Sequence, residues 1–182
     1  MKISMIGQKG IPASFGGIEH HVDMLSRELA ALGHEVTVYA RRWYSPPQAS
    51  PPSGIRRIIV PTLRTKHLDA AVHSLLCAWR ASRGDADIVH FHAIGPALFS
   101  PIPRLRGKKV VATIHRLDWA AEKWKTPAKL ALKTGEYVST LAPHARIVVS
   151  RDLQDYLASK YRAASIHIPQ GTIVPDLHPP SI

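Results

Sequence analysis

The sequence is poor in cysteine, in acidic residues and in long apolar runs. Its only cysteine is Cys77, which excludes a disulfide framework and any zinc site built on cysteine. No stretch approaches the roughly 18 consecutive apolar residues that a spanning helix needs. The apolar start, Lys2–Ile6, is too short for a secretory signal and is expected to be a first strand. Together these features point to a cytoplasmic protein. Aspartate and glutamate number 13 against 24 lysines and arginines, a net charge of +11. That surplus favours an anionic partner, whether nucleic acid, acidic lipid or a phosphorylated substrate, without choosing among them. The sequence also lacks Gly-x-Gly-x-x-Gly, which disfavours a nicotinamide or flavin site, and lacks the Lys-Ser/Thr pair of a P-loop.

What is present is an alternation of strand and helix. Apolar residues make up 45% of the 182, enough for one domain with its own core. After the first strand, Ile18, Val22, Leu25, Leu29 and Leu32 recur at helical spacing, and Gly33 follows as a C-terminal cap. Residues 36–39, 58–60, 88–91, 110–114, 147–149 and 166–168 read as further strands. Residues 68–80 read as a helix with Ala71, Val72, Leu75, Leu76 and Trp79 on one broad face. Pro96, Pro101 and Pro103 break up a shorter helix, Thr126-Pro127 opens another that runs to about residue 141, and 153–161 is the last. Residues 43–54 hold four prolines and read as an irregular loop. Near-continuous apolar strands separated by helices imply an α/β, Rossmann-like fold: a mostly parallel, twisted sheet of about seven strands with helices on both faces. Ligands of such sheets gather at the strands' carboxyl ends. That singles out the loop at residues 7–17, Arg41-Arg42-Trp43, His92, and His115 with Asp118.

Each motif has two readings. Gly16-Gly17 at a helix start suits close approach of a phosphate to backbone N–H groups; a tight turn that binds nothing fits equally. Asp85-Ala86-Asp87 precedes a strand on the side away from the ligand edge, so a turn is favoured over a metal site. His90 and His92 share one strand face, but no third metal ligand has suitable spacing. His115 either hydrogen-bonds a ligand or is a packed strand-end histidine. His20 and His21 read as solvated or packing residues on the first helix. Lys125, Lys129 and Lys133 line one helix face near Trp119 and Trp124, a composition suited to an anionic membrane surface, although a solvated face is the default for such a charge run.

An ordered set of segments resembles the N-terminal half of retaining family-4 glycosyltransferases of GT-B architecture. The carriers are Gly7, Gly10-Ile11-Pro12-Ala13, Gly16-Gly17-Ile18-Glu19 and Gly33-His34-Glu35-Val36-Thr37-Val38. Thr65-Lys66-His67-Leu68-Asp69 with His73, and Ile114-His115-Arg116-Leu117-Asp118-Trp119 with Lys123-Trp124, resemble the rhamnosyltransferase-like subgroup. Val148-Val149-Ser150 and Ile168-Pro169-Gln170-Gly171 complete the set. Gln170 stands where that family usually has Asn, and Arg116-Leu117 where it commonly has Gly after its His.

The resemblance implies transfer of a sugar from a nucleotide-sugar donor to a saccharide or lipid-linked acceptor with retention, using no metal or other cofactor. It implies that Gly16 and Gly17 meet the donor diphosphate and that His115 contacts the donor sugar. Glu19, Arg41, Lys66, His73, His92 and Asp118 become acceptor-side candidates. Trp124, Lys125, Lys129 and Lys133 become candidate membrane contacts at the inner membrane face. In that family a second domain carries a Glu-x7-Glu pair, and no two glutamates here are eight apart. The expected division is therefore an acceptor-side domain at residues 1–175 and the start of a linker at 176–182, with the donor half outside the chain and the chain alone inactive. A basic nucleic-acid-binding or interaction module is the alternative; no nucleic-acid motif supports it.

Overall fold

A computed structural model describes residues 1–45, 48, 50–63, 65, 68–122 and 126–171. Its strands are β1 (Lys2–Ile6), β2 (Glu35–Arg41), β3 (Ile55–Val60), β4 (Ile88–His92), β5 (Lys109–Ile114), β6 (Ala145–Val148) and β7 (Ile166–His167). All pair in parallel, in the order β3-β2-β1-β4-β5-β6-β7. The chain winds outward from β1 to β3, crosses back to β4, and then winds the other way. The reversal leaves a crevice at the carboxyl ends of β1 and β4, the usual ligand position in such sheets.

Helix α1 (Gly17–Ala31) covers one face alone. Its Val22, with Leu25 and Leu29, packs on Ile3, Met5, Val36 and Val38. Helices α2 (Asp69–Arg83), α3 (Ile94–Ala97), α4 (Pro101–Leu105), α5 (Thr126–Leu141) and α6 (Arg151–Tyr161) cover the other. There Ile6, Val89, Phe91, Val110 and Ala112 meet Cys77, Ala78 and Ala81 of α2. Ile114 and Val148 meet Ile94 of α3 and Leu157 of α6, with Leu132 of α5 packed alongside. Burying a side chain such as Phe91 is worth about 2–3 kcal/mol, so both faces are firmly held.

The broad apolar face of α2 points outward, and its buried side is His73, Ser74, Cys77, Ala78, Ala81 and Ser82. Small side chains let α2 sit close on the sheet, while the strands supply the bulk. The region around Pro96–Pro103 forms two short helices, α3 and α4, and a 3-10 turn at Asp118–Ala120 precedes α5. Asp85 and Asp87 stand at the amino edge, where they bind the Lys2 side chain and backbone at 2.6 and 2.8 Å. That is a turn, as expected. Among the described residues no helix is long and apolar enough to cross a membrane.

Candidate functional site

Strand β1 ends at Gly7, whose φ of +124° favours glycine. A Cβ there would lie 2.2 Å from the His92 carbonyl oxygen, so the two strand ends touch backbone to backbone across the crevice. The loop beyond is tied down group by group. The Lys9 N–H donates to Glu19 at 3.0 Å and the Ala13 N–H to Asp23 at 2.8 Å. Tyr44 Oη accepts from the Ser14 and Phe15 N–H groups at 2.9 and 3.0 Å and donates to the Phe15 carbonyl at 2.6 Å. The Ser45 hydroxyl donates to the Ile11 carbonyl at 2.8 Å, and Ile11-Pro12 is a cis peptide. The loop delivers the chain to α1 through Gly16, with φ +98°. A Cβ on Gly16 would meet Glu19 at 1.9 Å, whereas one on Gly17 would meet nothing within 4 Å. No side chain caps α1, so the N–H groups of its first turn are left for another partner.

Imidazoles gather beside that helix end. His90 and His92 share the α1 side of β4; the His90 ring stacks on His92 at 4.2 Å and its Nε2 meets Thr113 Oγ1 at 2.7 Å. His115 follows β5 and lies with its ring 5.7 Å from that of His92. His21 sits one turn after Gly17 on α1 and packs its ring 5.1 Å from His115 and 5.7 Å from His92. Helical side chains lean toward the N-terminus, so His21 marks the start of α1 as lying over the cluster. Gln170 Nε2 is 2.6 Å from His115 Nδ1. Donation there leaves the proton of His115 on Nε2, which faces His92 Nδ1 at 3.4 Å. That contact is long for a hydrogen bond, so the Nε2–H can turn to a ligand.

The cluster is neutral at ordinary pH. Burial, then the nearby His21 and Arg116, holds His115 at about 4. Burial, then His21 and His115, holds His90 at about 3. Burial also carries His92 well below the usual imidazole range and lowers His21. The ligand nitrogens of His21, His92 and His115 lie within 4.8 Å of one another, the one group among the described residues able to face a single metal ion. That spread exceeds the roughly 3.3 Å edge of a tetrahedron with zinc–nitrogen bonds of about 2.0 Å. As it stands the cluster is a hydrogen-bonding surface.

The structure sorts the residues expected from sequence. Gly16, Gly17, His92 and His115 converge at the crevice. Glu19 and Asp118 are used locally: Glu19 holds the loop, and Asp118 accepts from Arg116 at 2.8 Å. Arg41 and His73 are corrected. Arg41 is buried in an ion pair with Asp69 at 3.3 Å. His73 is fully enclosed beneath α2 against Cys77 and is held at about 4 by burial and by Arg41, so it has no surface to offer an acceptor. Lys66, Trp124 and Lys125 lie outside the described residues. Lys129 is half-buried, and Lys133 is exposed with its ammonium 5.0 Å over the Trp119 ring. Trp119 itself points inward, donating to Glu136, a buried carboxylate that also accepts from Tyr156 at 2.9 Å, Lys160 at 3.0 Å and Tyr161. Sequence reasoning missed His21, Tyr44, Gln170 and Glu136. Only His21 left a signal, its position one turn after the glycine pair.

The fold matches that of several solved structures. Sucrose-phosphate synthase from Thermosynechococcus elongatus superimposes with a TM-score of 0.70 at 20% identity, over 94% of this chain and 48% of that one. Arabidopsis thaliana UGT89C1 complexed with UDP-L-rhamnose gives 0.56 at 15% identity, over 96% and 53%. Os79 from O. sativa in complex with UDP gives 0.55 at 17% identity, over 90% and 50%. The chain thus spans about half the length of these proteins, and at such identities the likeness is one of fold. A search of curated proteins gave no match. The profile described as Glycosyltransferase Family 4 matches residues 15–172, the stretch that runs from the glycine pair through His92 and His115 to Gln170. With its parallel Rossmann-like sheet and a profile match over most of its length, the chain belongs to glycosyltransferase family 4.

Proposed function

We propose that this domain forms the acceptor-side wall of a sugar-transfer cleft. There a sugar passes from a nucleotide-sugar donor to a saccharide or lipid-linked acceptor at the cytoplasmic face of a membrane, with retention and without a metal. The observation that carries the reading is the uncapped start of α1, with Gly16 and Gly17, set over neutral imidazoles where the sheet's winding reverses. As the bond from the anomeric carbon to the diphosphate breaks, negative charge grows on the leaving oxygens. Backbone N–H groups at a helix start stabilise such charge without reorganising. His115, neutral and steered by Gln170, donates its Nε2–H to a sugar hydroxyl and supplies no cation to the phosphates. Arg116, exposed just past β5 and paired with Asp118, is placed to meet the acceptor. The relatives of known structure are about twice as long, which supports a second domain that completes the donor site.

The test is release of nucleoside diphosphate from a panel of nucleotide sugars by the protein that carries this domain. Gly17→Trp should cut turnover by about a hundredfold or more with an unchanged circular dichroism spectrum, because the fold leaves space there that the diphosphate needs. His115→Ala should lower turnover similarly. Unchanged rates would remove the loop and the imidazole from the reaction. Residues 1–182 alone should turn over no donor, and measurable transfer by them would defeat the two-domain reading.

A further inference from the structure

Helix α2 lies apolar side out. Leu68, Val72, Leu75 and Trp79 follow one another at steps of four, three and four, a stripe along a helix about 22 Å long. Leu68 is 53% exposed, Leu75 42% and Trp79 44%. Beside the end of the stripe stands Leu105 of α4, 86% exposed. The two helices meet there through arginines, since the Arg83 and Arg106 guanidiniums lie 4.2 and 5.3 Å from the Trp79 ring. An apolar strip of this length on an otherwise charged protein calls for a partner.

We propose that the α2–α4 face docks on an anionic membrane surface. The rim decides the occupant. Arg83 and Arg106, both exposed, stand over Trp79 at the end of the strip, and Arg80 next to Trp79 in α2 is exposed as well. The one acid of α2, Asp69, is turned inward to Arg41, and the next along the chain, Asp85, is held by Lys2. Leucine and tryptophan within a guanidinium rim are the composition of a helix lying in a lipid headgroup layer. A second copy of the chain fits poorly: a two-fold contact through this face would set one arginine rim against another. The site differs from the lysine face of α5 anticipated from sequence, where Trp119 points inward and Lys133 rests over it. It does not depend on sugar transfer, since binding is read with neither donor nor acceptor.

The test is sedimentation of the chain with phosphatidylcholine vesicles, with and without phosphatidylglycerol. Binding should need the anionic lipid at low salt and should fall steeply as salt rises. Leu75→Ser with Trp79→Ser should lower the partition coefficient at least about tenfold. Arg83→Gln with Arg106→Gln should lower it by a similar factor and flatten the salt dependence. Lys129→Gln with Lys133→Gln should leave it within about twofold. Circular dichroism should be unchanged throughout, because every substituted side chain in the first two pairs lies at the surface. The proposal is overturned by any of four results: no sedimentation at low salt, equal sedimentation with phosphatidylcholine alone, loss of binding with the α5 pair instead of the α2 pair, or a dimer in velocity sedimentation that Trp79→Ser dissolves.

Discussion

A proton added to His90, His92 or His115 puts charge into a space that has no counter-ion among the described residues, and this sets the acid limit of the fold. Each of these groups titrates lower in the folded protein than the ordinary 6.5. The unfolded chain therefore binds more protons below that value, and linkage makes stability fall as pH drops. The stability is complete above about 6.5 and declines toward the folded values of about 4 for His115 and about 3 for His90. The urea midpoint should drop clearly between about pH 7 and about pH 5, and His90→Gln should flatten that slope. A midpoint constant over this range would mean that the imidazoles are solvated. The same residues show how little of the site a sequence can display. His21 and His115 are 94 positions apart, and only the fold, which sets the start of α1 beside the end of β5, joins them. Gln170 looked like a mere departure from a family pattern, yet its side chain reaches His115 Nδ1.

Glu136 acts between elements. From α5 it accepts hydrogen bonds from Trp119 in the 3-10 turn and from Tyr156, Lys160 and Tyr161 in α6. Burial alone would raise its pKa, but the hydrogen bonds from Tyr161, Lys160, Trp119 and Tyr156 outweigh that and hold it below its usual value. Its contribution is present above the unfolded value near 4.5 and is lost as pH falls through the lower folded one. Glu136→Leu should cost about 2–4 kcal/mol, mostly from four donors left without an acceptor, measured by chemical denaturation; a change under about 0.5 kcal/mol would show that water replaces the carboxylate. Strands and α1 were legible because their apolar period matches their burial. The face of α2 was not, because periodicity reveals a stripe without saying which side of the helix meets the sheet. Cys77, Ala78 and Ala81 win the inner side by allowing close approach, and only the sheet's own bulk makes that favourable. Tyr44 was hidden at the edge of a proline-rich loop, where nothing in its neighbours announces that its hydroxyl organises residues 14 and 15.

At the scale of the whole molecule, one face of the sheet carries α1 and the imidazoles, and the other carries the remaining helices among the described residues. The imidazole cluster and the proposed membrane stripe therefore lie on opposite sides of a single sheet. On the proposed metal-free reading, a chelator such as EDTA should leave donor turnover in the complete protein unchanged, since the nitrogens of His21, His92 and His115 are spread over 4.8 Å. A rate abolished by EDTA and restored by zinc would show instead that His21, His92 and His115 close on a metal. The floor of the crevice is set by Gly7 lying directly against the His92 carbonyl. Two backbones in contact leave no side chain to trim or enlarge, so this part of the pocket has one size. If the crevice takes a sugar as proposed, a change of preference has to be sought away from this floor. On the proposed reading, a library that spares the two strand ends and the buried Arg41, Tyr44 and Ser45, and varies residues 116–118, would search the side of the crevice that is free to change.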